Sequence, residues 1–306
     1  MDAVILFSHG SLLCGAGEAL REHARRLRER GVAPIVEVGY LNYSEPPFAE
    51  TVTAVAAQGA TRIVVTPYFL VPGKFVKVDL PRAVETAKAA HPGIEFLVAD
   101  AIGFDPRLAD ALIDSARHAF GPERWREDLS RASRHCRANP ECPLFGTVHC
   151  PRAPGDAKVE ALRTATTQTD DTNPQKYPGE GQNQSKMSSL LVMVHGSPRP
   201  IANEEMFRVV DVVKQRGVFP IVEVGFMECN APSIPDAIDR CVAQGAGKII
   251  AVSYFLHTGT HVADDLPTLL EEGRDRHASI EFTMGAYLGR SERLTDILQD
   301  RLCAVL

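Results

Sequence analysis

The chain has 306 residues, a formal charge of −6 and a pI near 5.9, so it is long enough to bury two cores and lacks the basic balance that general nucleic-acid binding needs. It has no apolar run near the roughly 18 residues of a membrane span, and its first residues carry neither the charged start nor the long apolar centre of a signal peptide. A cytoplasmic protein with no nucleic-acid or membrane partner is expected, and seven cysteines, odd and sparse for this length, argue against a secreted disulfide framework.

Apolar runs predict strands at about 3–8, 34–39, 62–67 and 94–99, separated by amphipathic segments such as the one in which Leu20, Ala24 and Leu27 share a face. The pattern recurs at about 189–194, 220–225, 248–254 and 280–286, at a constant offset of 186: Ile5–Ser11 matches Leu191–Ser197, and Arg30–Gly39 matches Arg216–Gly225. So long a period means duplicated domains rather than a solenoid. Alternating strand and helix patterns predict α/β architecture: two flavodoxin-like, doubly wound domains, at 1–120 and 188–306, each with a parallel sheet of about four strands flanked by helices. Helices are expected from Pro81 and Pro267, each after an Asp-Leu pair whose Asp can cap. Between the domains, 121–187 loses periodicity and reads as a polar, Gly/Pro-broken linker.

Ligands of open parallel sheets bind beyond the carboxyl ends of the strands. His195 closes the first strand of the second copy, Glu228 follows the second and His261 follows the third, inside the stretch Tyr254–Pro267. Two imidazoles and a carboxylate suit a divalent transition metal or proton transfer. The first copy offers His9, Asn42 and Phe75 at the matching points, so its site is degenerate, and Phe75 supplies either core filling or a face for a planar ligand. His257 lies four residues before His261, but the intervening Gly259 argues against a helix that would put both on one face. Gly10, Ser11, Gly196 and Ser197 lie at strand-end turns whose N–H groups can receive carboxylates, with Lys74, Lys77 and Arg199 as nearby cations. The linker packs Cys136, Cys142 and Cys150 with two histidines into sixteen residues, in no standard zinc or ferredoxin spacing; an iron–sulfur or metal cluster and plain loop thiols are the two readings. There is no nucleophile elbow, phosphate loop or dinucleotide fingerprint.

The His-Gly-Ser strand ends, the Phe-Met-Glu run at 226–228 and the Tyr-Phe-Leu-x-x-Gly-x-His-x-x-x-Asp-Leu-Pro frame at 254–267 together resemble the class II tetrapyrrole chelatases of the CbiX/SirB type. The resemblance covers both halves but not the linker. It implies ATP-independent insertion of cobalt or iron into sirohydrochlorin, for cobalamin or siroheme biosynthesis, in a cleft between the halves. By motif position, His195, Glu228 and His261 would be the catalytic and metal-handling set. His9, Ser11, Ser197, Phe75, Lys74 and His257 would contact the macrocycle and its eight carboxyl groups. The resemblance also favours a cluster on Cys136, Cys142 and Cys150. A metal or tetrapyrrole carrier without turnover is the alternative, and a homodimer is not required, since two halves can close one cleft within a monomer.

Overall fold

The computed structural model describes residues 1–13, 15–128, 187–198 and 201–306, the side chains of 201 and 202 excepted. Cys136, Cys142, Cys150 and Arg199 lie outside the described residues. The first half runs β1 (Asp2–Ser8), α1 (Glu18–Glu29), β2 (Ile35–Tyr40), α2 (Phe48–Ala57), β3 (Arg62–Pro67), a π-helical turn (Phe75–Asp79), α3 (Leu80–Ala90), β4 (Glu95–Val98) and α4 (Arg107–Arg117). The second repeats it as β5 (Ser188–Val194), α5 (Ile201–Gln215), β6 (Ile221–Phe226), α6 (Ile234–Ala243), β7 (Lys248–Ser253), a π-helical turn (His261–Asp265), α7 (Leu266–Arg276), β8 (Glu281–Met284) and α8 (Arg293–Cys303). Both sheets are parallel, ordered β2-β1-β3-β4 and β6-β5-β7-β8, as the doubly wound reading expects.

The inner strands read as continuous apolar runs because both sheet faces are covered: Ala3 to Phe7 and Leu190 to Met193 are fully buried. On the outer faces, α2 and α3 bury Phe48, Val52, Leu80 and Val84 against the first sheet, while α6 and α7 bury Ile234, Ile238, Leu266 and Leu270 against the second. Between the sheets lies one shared core, running from Val4 and Leu6 through Leu20, Leu108, Leu112, Val209 and Ile297 to Leu190 and Val192.

Within this layer the last helices are exchanged. α4 packs on β7 of the second sheet, and α8 packs on β3 of the first. The Ser115 hydroxyl on α4 donates to the Ala286 carbonyl at 2.6 Å, and Arg301 on α8 donates to the carbonyls of Ala101 and Ile102 at 3.3 and 3.0 Å. Gly285 is required at this seam, because a Cβ there would sit 2.4 Å from Ser115 Oγ and 2.6 Å from its carbonyl oxygen.

The periodicity lapses at Gly121, yet 121–128 also pack on the second half. Phe120 exchanges two backbone hydrogen bonds with Met284, Trp125 is buried, and Arg126 pairs with Asp264 and Glu271 on the second half. The capping expectation is corrected: neither Asp79 nor Asp265 makes a side-chain cap bond, because the π-helical turns run directly into α3 and α7 and leave both aspartates helical. Among the described residues no helix is long and apolar enough to cross a membrane.

Candidate active site

His195 stands one residue beyond β5, at the carboxyl rim of the second sheet. The turn after it is fixed by backbone. Glu228 N–H donates to the His195 carbonyl at 2.9 Å, and Gly196, at φ +95°, lies so close to this segment that a Cβ would be 2.0 Å from the Glu228 carbonyl oxygen. Only glycine satisfies both demands. Asn230 completes the turn, its Oδ1 accepting from Ser197 N–H at 2.7 Å and from Asn203 Nδ2 at 3.1 Å.

His261 opens the π-helical turn after β7, and its ring lies 5.1 Å from that of His195, inclined at 77°. Its Nδ1 is 2.7 Å from Asp265 Oδ2, one turn on. A carboxylate there accepts only from an N–H, so Nδ1 carries a proton and the lone pair of the neutral ring lies on Nε2. The same logic applies to His195, whose Nδ1 meets the Gly196 carbonyl at 3.2 Å. Two imidazoles thus stand together on an accessible rim, each with Nε2 able to take a proton or a metal. Glu228 is carried to this rim with its side chain exposed, but among the described residues no three His, Cys, Asp or Glu side chains gather closely enough to hold a metal ion. The arrangement is an open histidine pair rather than a closed cage.

The first half repeats the turn with different chemistry. His9 meets the Gly10 carbonyl through Nδ1 at 3.2 Å, and Asn42 Nδ2 lies 3.5 Å from its Nε2. Ser44 takes the place of Asn230, its Oγ accepting from Ser11 N–H at 3.0 Å. The amides of Ser11 and Ser197 are therefore engaged within their own turns. Phe75 replaces the second histidine and lies 4.2 Å from His9, with Phe69 and an exposed Tyr43 beside them. Lys74 is exposed and 4.0 Å from Asp79.

The two rims meet at the loop before His261. His257 turns away from its own half, with Nε2 2.6 Å from Ser8 Oγ and Nδ1 3.3 Å from the Ala16 carbonyl. Burial lowers its pKa to about 4, against the raising effect of the bond to Ala16, and His9 pushes it down further. Ser44 and Asn230 carry no sequence signal beyond the constant offset that links them, and Asp265 reads from the sequence as a cap rather than a partner of His261.

The CbiX family model matches residues 3–119 and 189–305. The chain belongs to the CbiX family. A sirohydrochlorin cobaltochelatase of Priestia megaterium is 24% identical over 303 residues, covering 98% of this chain and 79% of the relative. A sirohydrochlorin ferrochelatase of the same organism is 21% identical over 309 residues, covering 100% of this chain and 91% of the relative. Among solved structures, SirB from Bacillus subtilis with Fe3+ superposes with a TM-score of 0.67 at 14% identity, over 99% of this chain and 94% of that one. At that identity the likeness speaks to the fold. Within this CbiX-family chain both halves keep the fold, and the second alone pairs two histidines at its rim.

Proposed function

We infer that the protein is a sirohydrochlorin chelatase that inserts a divalent metal, cobalt or iron, into the macrocycle, with the chemistry on the second half. The observation that carries the reading is the His195/His261 pair on the carboxyl rim, in a chain whose near-full-length relatives are named cobalto- and ferrochelatases. Metallation removes two pyrrole protons while a dication reaches four nitrogens, so it needs bases whose proton affinity lies near neutral pH. His195 and His261 each present an Nε2 lone pair for this role, and Asp265 holds the His261 ring in the competent tautomer and orientation. Two imidazoles with the nearby Glu228 carboxylate would handle the metal substrate loosely enough to release it. His9, Phe75 and Tyr43 form an aromatic face on the first half suited to the flat side of the macrocycle. Lys74 and the side-chain hydroxyls of Ser11 and Ser197, whose amides are engaged within their turns, would meet its carboxylates at the rim.

The test is anaerobic: the protein with sirohydrochlorin and cobalt or iron, followed by the macrocycle's visible spectrum over many equivalents. Metallation above the spontaneous rate for many turnovers is expected, and the two metals' relative rates assign the metal. Pigment binding that stops at one equivalent, without insertion, would make the protein a carrier.

A further inference from the structure

The constant offset gives each residue at the junction a counterpart position, and several of these are filled by polar residues in one direction and apolar ones in the other. From the first half, Ser8 at the end of β1 meets His257 at 2.6 Å, and the Ala16 carbonyl takes the other ring nitrogen. His23 on α1 is 1% exposed and bridges the Gly289 carbonyl and the Thr295 hydroxyl, both at 2.8 Å. The Tyr68 hydroxyl lies 3.4 Å from the Gly289 carbonyl, and its ring is 5.2 Å from His257 and 5.6 Å from His23. Gly289 packs so tightly under Leu256 that a Cβ would be 1.9 Å from the Leu256 carbonyl oxygen. Every recipient belongs to the two segments, 256–257 and 289–295, that flank or underlie the loop leading to His261.

At the same offset, the residues standing for Ser8, His23, His257 and Thr295 are Val194, Val209, Val71 and Ala109. Val194, Val209 and Ala109 are buried. These four positions can thus be filled by apolar side chains, so polar groups are not needed there merely to fill space, whereas Tyr68 is repeated by the buried Tyr254. Buried polar groups that must all be satisfied impose one geometry where an apolar contact tolerates several.

We propose that Ser8 and His23 of the first half form a one-directional latch on the catalytic segment of the second, and that His257 is a positioning residue whose two hydrogen bonds fix the loop from which His261 projects. The degenerate half is then a working part of the active site, although it performs no chemistry in it. This rests on the assignment of His261 as a reacting group.

The test compares His257→Val, which installs the residue of the mirror position, with His257→Asn, Ser8→Val and the Ser8→Val/His257→Val double variant. His257→Val should lower kcat roughly ten-fold with KM for the tetrapyrrole within about two-fold, the signature of misplacement rather than lost binding. The double variant should be no worse than His257→Val alone, and Asn, which can still donate to Ala16, should recover part of kcat. Amide hydrogen exchange should quicken across 256–263 in His257→Val and stay unchanged in β5 to β7. A raised KM with kcat intact would make His257 a substrate contact and overturn the proposal, as would additive single effects or unchanged exchange. If His257→Val fails to fold, Ser8→Ala carries the same exchange and kcat readouts. Should the unaltered protein show no turnover, the chelatase reading fails while the exchange measurement still decides the latch.

Discussion

The rings of His195 and His261 lie 5.1 Å apart and nearly perpendicular, with the Asp265 carboxylate 2.7 Å behind His261. Exchange of either histidine for Ala should lower kcat/KM on the order of a hundred-fold, the usual worth of a positioned proton acceptor. Asp265→Asn should cost less, roughly ten-fold, because it loosens the tautomer and orientation of His261 while leaving the ring in place. Neither histidine is buried, so thermal midpoints should move little. Steady-state metallation and calorimetry on the three variants check this; a normal rate in His261→Ala would remove it from the mechanism.

Gly196→Ala introduces a Cβ 2.0 Å from the Glu228 carbonyl oxygen at φ +95°. The neighbouring atom is backbone, so the turn itself must move. A stability loss of about 1–3 kcal/mol is expected from the strain, with a fall in kcat larger than that loss explains, since the same turn places His195. Denaturant unfolding beside turnover separates the two effects.

Burial holds the His23 pKa near 4, against the raising effect of its bond to Gly289. Arg26 lowers it further, Glu22 opposes and His257 adds a small downward push. The folded value lies below that of the unfolded chain, so as pH falls from about 6.5 toward 4 the unfolded chain takes up a proton that the fold refuses. Stability should be fullest above pH 6.5 and decline through that window, by on the order of 3 kcal/mol for His23 if titration is complete. His257, also lowered to about 4, adds to the same slope. Carboxylates held below their usual range, such as Asp2 beside Arg62 and Asp105 beside Arg107, continue the loss only below that window. Unfolding free energies between pH 7.5 and 4.5 should rise with pH, less steeply in His23→Val.

Because α4 covers the second sheet and α8 the first, fragments 1–120 and 188–306 should each fold poorly alone. Leu108 and Leu112 on α4 and Leu298 and Leu302 on α8 are fully buried, and each would surrender about 1.5–3 kcal/mol of burial without its host sheet. Mixing the fragments should restore the circular dichroism and cooperative melting of the whole chain; two fragments that fold independently would contradict the exchange.

All eight strands were legible within two residues at each end, because strands covered on both faces must be apolar along their length. His195 and His261 were legible because they close strands at the rim where ligands bind. The helix exchange was not, since the apolar stripe of Arg107–Arg117 is equally good against either sheet. His23 was hidden among Leu20, Ala24 and Leu27 on the face of α1, where only the partner across the junction reveals why a histidine is there. The Asp-Leu-Pro frames look like caps, and only the π-helical turn shows that Asp265 instead faces His261.

The exchange of α4 and α8 also bears on how such a chain diverges. A duplicated domain that merely sat beside its twin would be free to decay once its chemistry was dispensable. Here each copy encodes a helix that closes the other's sheet, so discarding either copy would unroof its twin. The two rims can therefore differ in chemistry, as His9, Asn42 and Phe75 differ from His195, Glu228 and His261, while the two frames stay bound to each other.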